Sequence, residues 1–170
     1  MDFTIKKVLA KDAYEYTACH ISCWQSAYKG IIPSDYLENM KTEIEQRTDR
    51  LKNNLIEMTD YSYYYATIND KMIGRLIFGK SLDDDKPNAG DVTAIYLIEE
   101  YWYKGYGRKM MDFAVTELKP IGYNEIIVWV VEDNSRARRF YEKYGFTLDG
   151  AKKEMQFGIP LTIVRYTINV

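Results

Sequence analysis

The chain has 170 residues, enough to bury a hydrophobic core and within the usual span of one domain, so residues 1 to 170 read as a single domain. Its 28% charged and 46% hydrophobic residues suit neither a disordered nor a membrane chain, and 23 Lys plus Arg against 25 Asp plus Glu give a net charge of −2, with no basic field for nucleic acid. The start, Met1-Asp2-Phe3-Thr4-Ile5-Lys6-Lys7, has no apolar signal core, and no stretch reaches the roughly 18 apolar residues of a membrane span, so a cytoplasmic protein without a membrane partner is expected.

In chain order, residues 3 to 9 predict a strand, and Asp12 with Glu15 has the spacing of a capping box that opens a helix ending at Gly30. Cys19 and Cys23, four apart, share one helix face as reduced, packed thiols. His20 is the sole histidine, too few for a His-based metal site or a Ser-His-Asp triad, and no metal is expected. A second helix starts near Ser34 or Asp35 and buries Leu37, Met40, Ile44, Leu51 and Leu55.

Tyr61 to Ile68 and Lys71 to Lys80 predict a hairpin across Asn69-Asp70, two residues suited to positive φ. Residues 81 to 90, with Asp83-Asp84-Asp85, Pro87 and Gly90, predict a solvated loop. A strand from Asp91 to Ile98, a helix from about Gly105 to Leu118 and a strand from Ile126 to Val131 then form a βαβ unit. Ala137, Phe140, Tyr141 and Tyr144 repeat at helical spacing up to Gly145, and strands at Phe146 to Ala151 and Thr162 to Ile168 follow. The fold class is α/β, or α+β by some conventions, with a mixed sheet flanked by helices.

The sharpest local feature is Tyr103-Lys104-Gly105-Tyr106-Gly107-Arg108, between a strand and a helix. Its two glycines serve either a steric turn or an anion site built from backbone amides and a helix N-terminus. Met110 stands where a dinucleotide fingerprint needs its third glycine, and no Gly-Lys-Ser/Thr follows. A second feature, Val131 to Phe146, runs from a buried strand through a short helix and includes Asn134, Ala137, Phe140, Tyr141, Lys143, Gly145 and Phe146.

Together the two features resemble the GCN5-related N-acetyltransferases (GNAT), whose signature joins an R/Q-x-x-G-x-G/A loop to an N-x-x-A-x-x-F-Y-x-K-x-G-F segment. Residues 24 to 37 also look like one branch of that superfamily. The resemblance implies a mostly antiparallel sheet with a central parallel pair split by a bulge, and acetyl-CoA as cosubstrate. It places the pantetheine arm along Tyr96, Leu97 and Ile98, the pyrophosphate on Tyr103, Lys104, Gly105, Tyr106, Gly107 and Arg108, and further cofactor contacts at Asn134, Ala137 and Tyr141. The amide of Leu97 would polarise the thioester carbonyl, a type of contribution worth roughly 3 to 4 kcal/mol. Asn134 is equally suited to cap its helix. Tyr141 would protonate the departing thiolate. Asp91, 14 residues before Gly105, is the candidate general base, with Glu99 and Glu100 as weaker ones acting through water.

One position departs from the pattern: Trp102 replaces the usual Arg or Gln. The alternative reading is therefore a non-catalytic acyl-CoA binding or sensing protein. Arg136, Arg138 and Arg139 offer a third, nucleic-acid reading, which a single basic helix in an acidic chain supports poorly. The expected acceptor is a small primary amine, drawn as a cation by Asp83 to Asp85, Glu99 and Glu100. A homodimer is expected, since members of the family that the chain resembles often pair through their C-terminal strands and the strand Thr162 to Ile168 leaves an edge that needs protection.

Overall fold

In the computed structural model, which describes residues 2–170, seven strands form one mixed sheet in the order β1-β2-β3-β4-β5-β7-β6. The strands are β1 (Phe3–Lys7), β2 (Tyr61–Ile68), β3 (Lys71–Lys80), β4 (Gly90–Leu97), β5 (Glu125–Val131), β6 (Thr147–Gln156) and β7 (Pro160–Asn169). The helices are α1 (Ala13–Ala27), α2 (Ser34–Thr42), α3 (Ile44–Glu57), α4 (Tyr106–Leu118) and α5 (Ser135–Tyr144). All neighbouring strands are antiparallel except β4 and β5.

Both sheet faces are covered, which explains why β5 reads as the unbroken apolar run Ile126 to Val131. Met110, Met111, Ala114 and Leu118 of α4 and Tyr141 of α5 pack on one face with Leu76, Val92, Ile126 and Val128. Across the sheet, Tyr16, Cys19 and Cys23 of α1 and Leu51 of α3 pack with Ile77 and Ala94. Both cysteines are free and buried.

Several local expectations change. Asp12 does not pair with Glu15: its carboxylate accepts from the Leu9 amide at 2.9 Å, tying the turn before α1. The predicted second helix is two, because the backbone leaves helical geometry at Glu43 (φ −95°, ψ 9°). There Thr42 Oγ1 donates to Asn39 O at 2.8 Å, and Glu43 accepts from Arg47 Nη2 at 2.8 Å at the head of α3. The first strand stops at Lys7, whereas β6 and β7 are longer than predicted and form a hairpin.

The predicted strand Thr162 to Ile168 is not an edge, because β7 lies between β5 and β6. The edge strand at this end of the sheet is β6, whose Lys152, Lys153 and Glu154 deter pairing with another sheet. The acidic loop is not simply solvated either. Asp83 and Asp85 receive Arg165 Nη1 at 2.9 and 2.8 Å, Asp149 receives its Nε at 2.6 Å, and Arg165 is only 4% exposed. A register shift in β6 between Leu148 and Lys152 delivers Asp149 to that cluster.

Candidate active site

The parallel pairing of β4 and β5 is short: only Gly90 with Ile126 and Asp91 with Ile127 are in register. One extra β4 residue sits opposite β3 between the Ile77–Ala94 and Gly79–Asp91 pairs, a bulge that turns β4 away from β5. A cavity of about 620 Å³ opens where the strands part. Its walls are Thr93 to Leu97 of β4, Trp129 and Val130 of β5, the loop before α4, and one face of α5.

The β3–β4 ladder decides which β4 amides are free. Ile98 N donates to Ile73 O at 2.9 Å, so its amide is spent on β3. Antiparallel alternation then turns Tyr96 toward Arg75, its β3 partner, and leaves the Ile95 and Leu97 backbones facing the gap. The Leu97 carbonyl accepts from Trp102 Nε1 at 2.8 Å, so Trp102 does supply a polar donor, used to fasten the loop to β4. A face of that indole carries the Arg136 guanidinium, 3.7 Å from the ring centroid.

In the loop, Tyr103 has φ +59°, a conformation uncommon for a bulky residue, and is 88% exposed. Gly105, with φ +83°, precedes the first residue of α4. The first intrahelical bond is Lys109 N to Gly105 O, so the amides of Tyr106, Gly107 and Arg108 have no acceptor within the helix. Gly107 is also a packing requirement: a Cβ there would sit 3.2 Å from the Phe140 ring, so a Gly107→Val change acts through Phe140 as well as on a ligand.

Tyr96, Leu97, Tyr103, Gly105, Gly107, Arg108, Asn134, Ala137 and Tyr141 all line the cavity. Ile98, Lys104 and Tyr106 do not: Lys104 lies over Tyr101 and Tyr106 stacks on Phe3. Asn134 Oδ1 caps α5 by accepting from Ala137 N at 3.1 Å, which leaves the amide nitrogen of its side chain as a donor. Tyr141 is 7% exposed, packed beside Phe140 and Phe146. Burial, reinforced by Tyr96, holds its phenol above the ordinary value, with Arg136 opposing. It therefore stays protonated and able to donate.

Asp91 stands outside the cavity lining. Burial pushes its carboxyl up to about 7, and its Oδ1 is closed off without a hydrogen-bond partner. Its Oδ2 accepts from Thr93 Oγ1 at 3.3 Å, and Thr93 does line the cavity. Glu99 and Glu100 are exposed and outside it.

Several lining residues lie outside the predicted site. Tyr28 reaches in from α1's end, its hydroxyl 2.8 Å from that of Tyr96, and Trp129 comes from β5. Arg136, Arg139, Phe140, Lys143 and Tyr144 share one helical face, a periodicity that the sequence does contain. The three arginines of α5 do not form one patch: Arg138 Nε donates to Tyr166 Oη at 2.9 Å, while Arg136 and Arg139 line the cavity. Among the described residues no carboxylate lines it; its charged groups are Arg108, Arg136, Arg139 and Lys143. The acidic mouth expected for a cationic acceptor is absent because Asp83 and Asp85 are turned to Arg165.

Comparison with known proteins agrees with this geometry. Residues 24–146 match the family model described as Acetyltransferase (GNAT) family. The uncharacterized N-acetyltransferase YuaI of Bacillus subtilis (strain 168) is 25% identical over 166 residues, covering 92% of each chain. The spermidine N(1)-acetyltransferase of Thermoplasma acidophilum is 25% identical over 152 residues, 88% of this chain and 91% of that one. Among solved structures, the PaiA N-acetyltransferase from Thermoplasma acidophilum in complex with coenzyme A superposes with a TM-score of 0.78 at 21% identity, over all of both chains. A match across residues 24–146, the strand split, the loop amides and the α5 residues all meet in one assignment: this chain belongs to the acetyltransferase (GNAT) family and is an acetyl-CoA-dependent N-acetyltransferase.

Proposed function

We propose that the chain transfers the acetyl group of acetyl-CoA to the primary amine of a small molecule, which attacks the thioester directly. The observation that carries this reading is the cavity between β4 and β5, which connects the free amides at the head of α4 to Tyr141. The amides of Tyr106, Gly107 and Arg108 hold the pyrophosphate, with Arg108, Arg139 and Lys143 supplying positive charge. The Asn134 amide nitrogen and the walls at Tyr96 and Ala137 hold the pantetheine arm. The Leu97 amide donates to the thioester carbonyl oxygen, and the Tyr141 hydroxyl gives its proton to the sulfur as the bond breaks.

An amine attacks only without its extra proton, since an ammonium near pKa 10.4 has no lone pair. Asp91 takes that proton through the Thr93 hydroxyl, and a carboxyl near 7 is poised to do so at neutral pH. The acceptor sits among Tyr28, Tyr96 and Trp129. A relative named for spermidine supports a small amine, and among the described residues no carboxylate lines the cavity to pair the further ammonium groups of a polyamine. The non-catalytic alternative rested on Trp102, whose hydrogen bond to Leu97 O is consistent with an intact site.

The test is thiol release from acetyl-CoA, followed from about pH 6 to pH 9 with small monoamines, amino acids and basic peptides. Small monoamines should exceed basic peptides, with a rate that rises through neutral pH in the wild type and loses that limb in Asp91→Asn. A preference for peptides would overturn the small-acceptor reading, and an unchanged profile in Asp91→Asn would remove Asp91 as base.

A further inference from the structure

A second cavity of about 200 Å³ lies between α1, α3 and the β2–β3 hairpin, away from the acetyl-CoA residues. Its charged side chains are all arginines, Arg47, Arg50 and Arg75, and no carboxylate lines it. Arg47 is paired with Glu43 at 2.8 Å. Arg50 and Arg75 take part in no ion pair among the described residues. A guanidinium taken out of water without an anionic partner is costly, so a buried one is normally matched by a carboxylate or a ligand.

Two further atoms are unsatisfied here. Tyr16, 1% exposed, has a buried hydroxyl with no partner, and so does Arg75 Nε. The Arg75 guanidinium lies 5.0 Å from the centroid of the Tyr16 ring, a contact that offsets only part of the missing pairing. His20 also lines the cavity, and burial, with Arg75 and Arg47 adding to it, keeps its imidazole neutral. Thr17 is not a donor to spare, since its hydroxyl is spent on Ala13 O at 2.8 Å.

The geometry points to a binding site for a small oxyanion, a phosphate or a carboxylate, held by Arg75 and Arg50 with Tyr16 and His20 as neutral donors. The site is too small for a cofactor and lies behind the reaction cavity rather than in it. Arg75 is the β3 partner of Tyr96, whose ring is 6.4 Å from that of His20, so one strand separates the anion from the acetyl site.

His20 is the only histidine in the chain, so its ring resonances form a single reporter inside this cavity. The experiment titrates CoA-saturated protein with inorganic phosphate and, separately, with succinate, at constant ionic strength, while following the His20 ring by NMR. Saturation with CoA blocks phosphate at the α4 amides. A saturable shift of the His20 signals is expected with at least one anion, and the stronger of the two identifies the class. Its Kd should rise about tenfold or more in Arg75→Gln and severalfold in Arg50→Gln. Arg50 is exposed, so that variant folds and decides the matter alone if Arg75→Gln does not. No saturable shift with either anion up to about 50 mM, or an unchanged Kd in the folded variants, overturns the proposal.

Discussion

Tyr141→Phe is expected to lower kcat by about a hundredfold or more while leaving the Kd for acetyl-CoA within about threefold. The ring is fixed by packing at 5.4 Å from Phe140 and 5.8 Å from Phe146, contacts that phenylalanine keeps. What disappears is one hydroxyl that lines the cavity proposed for the thioester. Negative charge appears on that sulfur only as the thioester breaks, so the lost interaction belongs to the transition state and affects turnover rather than binding. Burial holds the phenol protonated, and the Arg136 charge counters that shift and eases proton release when it is needed. Calorimetric Kd and steady-state kcat, measured side by side, separate the two effects. Wild-type turnover in the variant would reduce Tyr141 to a core residue.

Arg165→Met is expected to cost about 3 to 5 kcal/mol in urea unfolding at neutral pH, the scale for removing one partner from a buried charge cluster. Arg165 is 4% exposed and binds three aspartates, and without it Asp83 and Asp149, each 17% exposed, would both lose its charge. Lys153, 3.4 Å from Asp83, compensates only from the surface. The pH dependence follows from the carboxylates. Hydrogen bonds from Arg165 hold Asp85 down at about 2, and Asp83 is also below the ordinary range, its hydrogen bonds from Arg165 and Trp129 outweighing its burial. A depressed native pKa gives stability that is present above the unfolded value near 3.9 and is lost as pH falls toward 2. The wild type should therefore lose this contribution between about pH 4 and pH 2, and its margin over Arg165→Met should shrink across that window. A margin independent of pH would mean that Arg165 acts by packing alone. Turnover should fall as well, since Trp129 lines the reaction cavity and donates to Asp83 at 2.8 Å, so the cluster helps position that wall.

The parts of the molecule legible in the sequence are those with short-range signals. The β4–α4–β5–α5 order followed from apolar runs and helical spacing, and the loop glycines with Asn134, Ala137 and Tyr141 carried the resemblance to the GNAT family. The acidic loop reads as solvated in the sequence because its partner Arg165 lies 82 residues from Asp83, and no local pattern announces such a pair. The break at Glu43 was hidden because Leu37, Met40 and Ile44 keep helical spacing across it. The position of β7 inside the sheet depends on long-range pairing with β5, which the chain's last strand does not reveal. Trp102 looked like a loss when judged as a side chain alone, and its role as donor to Leu97 O and platform for Arg136 required the tertiary arrangement. The face that Arg136 and Arg139 share with the motif residue Lys143 on α5 is available from periodicity, but no motif position marks the two arginines.

The most direct measurement is a single-turnover experiment with acetyl-CoA and a small primary amine, in which free thiol and N-acetylated amine are quantified together. Direct transfer gives one acetylated amine per thiol released, at a rate that depends on amine concentration and collapses in Tyr141→Phe. Thiol released without acetylated amine, or at a rate indifferent to the amine, would contradict direct transfer through this cavity.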